Sequence, residues 1–138
     1  MSRDPGRLEA FVLADALVVD VYRMTKSFPS EERFGLQSQI RRGAVSVAAN
    51  LVEGSARRSQ RDYLHFVGIS IGSASEVRYL LDLSVRLAFV SPQDGANLRD
   101  RYSRVIRALQ ALVSSLSRSP RPEVRGPKPT ALSERHWP

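Results

Sequence analysis

The sequence predicts an all-α protein: an antiparallel up-down-up-down four-helix bundle with a disordered C-terminal tail rich in Pro and Arg. Three observations support this fold class. Four segments carry apolar residues at helical spacing, the connections between them are short, and no segment has the alternating pattern of a strand. Short connections make consecutive helices antiparallel neighbours. We therefore expect a flexible N-terminus over residues 1–7, the bundle over 8–118 and the tail over 119–138.

The first two helices are separated by a proline. Apolar residues recur densely over residues 8–28 without an internal Gly or Pro, which predicts one helix with a wide buried face. Pro29 forbids its continuation, and Ser30 followed by acidic residues resembles the N-cap of a second helix. That helix should run to about Val52, with Gly54 beyond its end as a C-cap.

The third and fourth helices carry clear start signals. Ser59 and Asp62 have the spacing of a capping box, and the apolar period behind them continues to Val85. The segment from Ser91 to Asp94 combines an N-cap serine, a proline at the first helical position and an acid in the first turn. The strict four-three alternation that follows, as far as Leu116, is typical of a bundle helix with a narrow seam.

Composition restricts the function classes. The chain has 138 residues, no cysteine, two histidines and a formal net charge of +7. No disulfide or thiolate chemistry is available, and we expect no metal and no cofactor. No window is apolar enough for a membrane span and the N-terminus lacks a signal-peptide core, so we expect a cytoplasmic protein. The positive charge favours polyanions as partners, although an Arg-rich composition can also reflect a GC-rich genome.

Two helices have more apolar surface than one core can cover. On the second helix, a core stripe is accompanied by a further strip that Arg41 interrupts. On the third helix, an apolar flank lies beside small residues, and such flanks on small proteins usually mark an interface. We therefore predict a homo-oligomer, the alternative being a monomer with wide helix burial. The core stripe consists of Leu36, Ile40, Val47 and Leu51, with Ala44 at its edge. The second strip consists of Val45, Ala48 and Val52, and the flank of Ile69, Leu80, Leu83 and Leu87, with Gly68, Gly72 and Ser73.

A polar ridge runs along the edge of the core stripe of the second helix. It consists of Gln39, Arg42, Gly43, Ser46, Asn50 and Glu53. The preferred interpretation is structural, with these side chains satisfying helix ends and pairing with arginines. Two alternatives stay open: a polar device that fixes the register between subunits, and a ligand or catalytic site.

Residues 28–77 carry a combination of motifs that identifies a family. The segment begins with Phe-Pro, an acid and Phe-Gly-Leu, followed by Gln-Ile-Arg-Arg. A Ser, an Asn and Glu-Gly come next, then Arg-Ser, and the following helix contains Gly-Ser. This combination resembles the four-helix bundle proteins encoded within intervening sequences of 23S ribosomal RNA genes. That family is similar to the accessory variability proteins of diversity-generating retroelements. Gly43, Ala48 and Leu13 depart from the family pattern, which usually has Ala, Pro and Trp there. The matching residues are Phe28, Pro29, Glu32, Phe34, Gly35, Leu36, Gln39, Ile40, Arg41, Arg42, Ser46, Asn50, Glu53, Gly54, Arg58, Ser59, Gly72 and Ser73.

The resemblance implies a ring-like homopentamer without enzymatic activity. It also implies association with nucleic acid, RNA in particular, and a possible protein partner such as a reverse transcriptase. The leading hypothesis is thus a non-catalytic, oligomeric nucleic-acid-binding protein. The alternative is a structural or protein-interaction module that does not bind nucleic acid directly.

Two groups of arginines are the candidate phosphate contacts. The first, Arg57, Arg58 and Arg61, lies at the start of the third helix, where free amides also favour an anion. The second consists of Arg104 and Arg107 on the outer face of the last helix, with Arg101 and Arg118 near them. No aromatic residues interleave with these arginines, so base stacking on them is not expected. Each group can alternatively be a solvated charged face.

An enzyme is the least favoured class. A metal-dependent nuclease needs clustered carboxylates, and Glu53 and Glu76 lie on different helices. Trp137 in the tail could dock on a partner, but an unstructured terminus is the preferred interpretation.

Overall fold

The computed structural model describes residues 5–117. Four helices lie within this range: α1 (Pro5–Thr25), α2 (Leu36–Ser55), α3 (Gln60–Arg86) and α4 (Pro92–Ser117). A single 3-10 turn, Ser30–Glu32, lies between α1 and α2, and the described part of the chain has no strand. The predicted all-α, four-helix fold is confirmed. Arg118, the predicted tail over 119–138 with Trp137, and residues 1–4 of the predicted flexible N-terminus lie outside the described residues.

The helices form a closed bundle in which each packs on its neighbours in sequence and α4 returns to α1. The contacts run in opposite directions along adjacent helices. Between α2 and α3, Ser46 contacts Ser73, whereas further along α2 Gly54 lies against Phe66. Between α3 and α4, the beginning of α3 meets the end of α4, because the Gln60 side chain donates to the Leu116 carbonyl. These pairings are antiparallel.

The core consists mainly of aliphatic side chains, with the aromatic residues Phe28, Tyr63 and Tyr102. Large side chains with essentially no exposure come from all four helices: Leu17, Val21, Ile40, Val47, Val67, Val77, Leu81, Tyr102, Val105 and Leu109. The Tyr102 hydroxyl is buried and has no hydrogen-bond partner among the described residues. Burial raises the pKa of Tyr102 well above its ordinary value near 10, with smaller opposing effects of Arg101 and Asp20.

The start signals of α3 and α4 act as predicted. The Ser59 hydroxyl accepts a hydrogen bond from the Asp62 amide at 3.0 Å. The Ser91 hydroxyl accepts one from the Asp94 amide at 3.1 Å. Each serine satisfies an amide that the first helical turn leaves without a backbone partner.

The predicted boundaries of α1 and α2 are wrong at both ends of each helix, and α2 ends at Ser55 rather than at about Val52. α1 covers Pro5–Thr25 rather than 8–28, and Ser30 opens the short 3-10 turn instead of α2. The carboxylate of Glu32 then accepts from the Leu36 amide at 3.0 Å and caps α2 from four residues upstream.

Gly54 lies inside α2 and does not have a left-handed conformation. A Cβ at this position would lie 3.0 Å from the Phe66 Cβ and 3.3 Å from the Tyr63 ring. The prediction that Gly54 is a C-cap beyond the helix is therefore wrong. The glycine serves the close approach of α2 and α3.

The core stripe of α2 is buried as predicted, and part of the additional apolar surface is exposed. Val45 and Val52 remain accessible on α2, whereas Ala48 is buried, so the second strip is narrower than the sequence predicted. On α3, Leu80 belongs to the core rather than to the flank. The exposed residues that remain are Ile69, which lies beside Gly68 and Gly72, and Leu87 directly after the end of α3. A Cβ at either glycine would meet nothing within 4 Å.

α1 adds an exposed apolar row that the sequence analysis assigned to a buried face. Leu8, Val12 and Val19 are about half exposed or more and lie on one side of the helix. Together with Val45 and Val52 of α2 they form what we call the α1–α2 apolar face. Within residues 5–117, we find no helix whose length and apolarity would let it cross a membrane.

Candidate nucleic-acid interface

A cluster of arginines lies where the connection between α2 and α3 meets the beginning of α1. We call this cluster, Arg7, Arg57 and Arg58, the arginine corner. These arginines line an open hollow of about 490 Å³, together with the backbone and side chains of residues 55–60. The hollow lies at the beginning of α3, where the helix dipole and the first amides favour an anion. Arg61 is the second residue of α3 and is exposed.

Arg57 and Arg58 differ in the contacts that their guanidinium groups make. Arg57 forms an ion pair with Glu53 on the preceding turn, and its guanidinium stacks over the Phe66 ring at 4.9 Å. Arg58 is exposed and pairs with none of the carboxylates in the described range. The corner therefore combines one oriented guanidinium with one that is exposed and unpaired within the described residues, a combination suited to phosphate oxygens.

Arg7 joins the corner from the beginning of α1, which the sequence analysis did not foresee. Its guanidinium carbon lies 3.6 Å above the Tyr63 ring. The Arg7 Nε and the Tyr63 hydroxyl are both buried without a hydrogen-bond partner in residues 5–117. Arg7 thus supplies a third cation to the hollow while packing on the end of the bundle.

The arginines of α4 are placed differently. Arg101 donates to Asp20 at 2.6 Å, and Arg104 pairs with Glu9 at 3.3 Å, so both link α4 to α1. Arg107 is exposed and pairs with no described carboxylate. The structure does not bring these three side chains together with the arginine corner.

The polar ridge of α2 provides links within the bundle. The Ser46 and Ser73 hydroxyls lie 2.8 Å apart and connect α2 to α3, and the Asn50 amide donates to the Ser46 hydroxyl and carbonyl. Gly43 is buried against Val77, whereas Gln39 is exposed. Gly72, beside Ser73, faces open space.

The two consecutive arginines of α2 have different surroundings. Arg41 donates to the Thr25 hydroxyl at 2.7 Å and to the Tyr22 carbonyl at 3.2 Å, which ties α2 to the end of α1. Arg42 is exposed. Both line a second hollow of about 450 Å³, with Tyr22, Arg33, Phe34, Gln37 and Ser38. We call this hollow the aromatic cleft.

The carboxylates considered for metal-dependent chemistry lie apart. Glu76 of α3 lies beside Gly43 of α2. Gly43 precedes Glu53 by ten residues, which corresponds to about 15 Å along the helix, so the two carboxylates are far apart. Among the described residues, no group of three or more His, Asp or Glu side chains could hold a metal ion.

Sequence reasoning missed Arg7, Tyr22, Arg33 and Phe34 as surface residues. Phe34 carried a usable signal, because it is an aromatic residue next to an arginine and lies outside the core stripe of the second helix. Arg7 carried none, since its partner Tyr63 is distant in the sequence and only the bundle brings the two together.

Comparisons with known proteins agree with the fold. Residues 6–111 match the model of the family described as 23S rRNA-intervening sequence protein. A similar solved structure is that of a protein of unknown function from the S23 ribosomal protein family of Bacteroides thetaiotaomicron. The TM-score is 0.73 at 17% identity, covering 79% of this chain and 98% of that one. No curated protein matches the chain significantly.

Proposed function

The chain belongs to the 23S rRNA-intervening sequence protein family, and we propose that it is a non-catalytic, homo-oligomeric protein that binds nucleic acid through phosphate contacts. RNA is the favoured ligand, and the cytoplasm is where we expect the protein to act. The observation that carries the proposal is the arginine corner, where three guanidiniums surround one hollow at a helix N-terminus.

Charge supports this proposal beyond the corner. The chain carries a net +7, and a polyanion gains from every cation near its path. Arg101 and Arg104 contribute less, because Asp20 and Glu9 neutralise them in part, and Glu53 has the same effect on Arg57 within the corner. Arg107 remains a candidate for an additional phosphate contact.

Self-association is the second part of the proposal. The α1–α2 apolar face and the exposed flank of α3 are different surfaces of one chain, so the apolar face of one copy can pack on the α3 flank of the next copy. A contact between unlike surfaces generates a closed ring when the rotation between copies allows it. The expected number of copies is five, as the family resemblance implies.

Nucleic-acid binding is tested by salt titration. A fluorescent single-stranded RNA and its DNA equivalent are titrated with the protein, and the logarithm of the affinity is plotted against that of the salt concentration. Replacing Arg57, Arg58 and Arg61 together by Ala should reduce the slope by about 2 for single strands, since each lost phosphate contact contributes about 0.7.

A matched control removes the same charge elsewhere. Arg23, Arg86 and Arg99 are exposed and lie away from the corner, so their triple Ala variant should keep the wild-type slope. If the two triple variants reduce the salt slope equally, net charge alone determines the affinity and the corner has no specific role. If the wild-type protein does not bind nucleic acid at low salt, the proposal is rejected. A protein partner that is retained after nuclease treatment would favour the interaction module.

Self-association is tested by light scattering at micromolar concentration. Val52→Asp places a charge in the apolar face and should reduce the mass towards that of one chain, with unchanged helical circular dichroism. Ala111→Asp, at an exposed position of α4, is the control and should keep the wild-type mass. A wild-type protein that is already a monomer contradicts the proposal.

A further inference from the structure

The aromatic cleft lies at the opposite end of α2 from the arginine corner. Its walls are the last turns of α1, the connection after the 3-10 turn and the first two turns of α2. Phe34 is the most exposed large apolar side chain among the described residues, with 91% of its surface accessible. Neither the family motif nor the predicted phosphate contacts give this cleft a role.

The cleft is positively charged and its lining contains no carboxylate. Arg33, Arg41 and Arg42 contribute three guanidiniums. The nearby carboxylate of Glu32 is engaged with the Leu36 amide. Covering these cations with an apolar partner would remove them from water without a counter-charge, which is costly. The cleft therefore favours an anionic ligand.

Two aromatic rings are interleaved with these cations. The Arg41 guanidinium lies 4.6 Å from the centre of the Tyr22 ring, and that of Arg33 lies 5.8 Å from the centre of the Phe34 ring. Arg41 is held by hydrogen bonds to Thr25 and Tyr22, so this wall of the cleft is rigid. The Phe34 ring is almost fully exposed and lies beside the Arg33 guanidinium, an arrangement suited to a neutral base stacked on the ring with its phosphate at the cation.

We propose that the aromatic cleft binds an unpaired nucleotide of a single-stranded nucleic acid. The base stacks on Phe34, and Arg33 and Arg42 contact the phosphates on either side of it. A duplex does not fit this arrangement, because its bases are already stacked on one another. The inference rests on the proposed function and specifies which form of nucleic acid the protein prefers.

The test compares single strands with duplexes. A fluorescein-labelled oligouridylate of about 12 nucleotides, within the usual site size of single-strand binders, is titrated beside an RNA duplex of equal length. Phe34→Ala should weaken oligouridylate binding by about 5- to 150-fold. Duplex binding should stay within about twofold of the wild type, since phosphate contacts supply it. Tyr79→Ala, which removes an exposed aromatic ring on α3, is the matched control and should change neither.

A second variant reports stacking directly. The chain has a single tryptophan, so Phe34→Trp combined with Trp137→Phe leaves one indole in the cleft. Oligouridylate should quench its fluorescence and the duplex should not. Unchanged fluorescence on binding, or Phe34→Ala with wild-type affinity for the oligouridylate, would overturn the inference.

The outcomes separate this inference from the proposed function. If Phe34→Ala lowers the mass in light scattering without changing oligouridylate affinity, the cleft holds a second copy of the chain and the inference is wrong. If neither nucleic acid binds at low salt, the proposed function fails as well. If only the triple arginine variant changes binding, the proposed function stands without the inference.

Discussion

Gly43→Ala tests how closely α2 and α3 pack. A Cβ at position 43 would lie 2.7 Å from the Val77 Cγ2, closer than any relaxed contact. Alanine should gain about 1 kcal/mol of helix propensity over glycine. Overpacking against Val77, which is fully buried, should cost roughly 1–3 kcal/mol. The net change in the free energy of unfolding is then between no effect and a loss of about 2 kcal/mol.

Gly68→Ala is the matched control, because a Cβ there meets nothing within 4 Å in one chain; since Gly68 borders the α3 flank, light scattering must show the same mass for both variants. Gly68→Ala should stabilise the protein by about 1 kcal/mol through propensity alone. Urea unfolding at one fixed protein concentration measures both variants, since self-association would make stability concentration-dependent. In a Val77→Ala background the clash disappears, and Gly43→Ala should become stabilising. Equal stabilisation by Gly43→Ala and Gly68→Ala in the wild-type background would refute the reasoning.

Three further substitutions test individual contacts. Tyr102→Phe should change stability at pH 7 by less than about 1 kcal/mol, because the hydroxyl has no partner among the described residues. Above pH 10 an unfolded tyrosine ionises while buried Tyr102 stays protonated, so urea unfolding should show the wild type losing up to about 1.4 kcal/mol per pH unit. The variant should lack that loss; equal losses would contradict the burial argument. Thr25→Val leaves the Arg41 donor unpaired and should cost about 1–3 kcal/mol, whereas Thr25→Ser should retain most of the stability in thermal unfolding. Glu32→Ala removes the cap of the Leu36 amide and should cost about 1 kcal/mol, with a smaller loss for Glu32→Gln; equal losses would mean that the cap does not act through its side-chain oxygen.

Local signals in the sequence were sufficient for the fold class. Helical periodicity predicted all four helices, and the serine caps at Ser59 and Ser91 placed the beginnings of α3 and α4 correctly. The boundaries around Pro29 could not be predicted equally well. The cap of α2 is the side chain of Glu32 acting over four residues, and no local capping pattern describes it.

The errors at Gly54 and Leu80 have a common cause. A glycine near a predicted helix end resembles a C-cap, and a leucine at the edge of a stripe resembles a flank residue. In both cases the packing of a neighbouring helix determines the role of the residue: it requires a glycine at position 54 and buries Leu80. The distance between two helices is a property of the tertiary structure and has no local sequence signal.

The candidate site was predictable only in part. Arginines 57, 58 and 61 follow from their position at a helix start, whereas the pairing of Arg101 with Asp20 depends on the packing of α4 on α1. The aromatic cleft depends on the chain turning back after α1, which brings Tyr22 to residues more than ten positions later in the sequence.

The length of α2 separates the two basic surfaces. Its 20 residues correspond to about 30 Å, with the aromatic cleft at its beginning and the arginine corner at its end. A mononucleotide or a short oligonucleotide can occupy only one of these two surfaces at a time. Affinity should therefore rise stepwise once a strand is long enough to reach both, so that α2 selects its ligands by chain length as well as by charge.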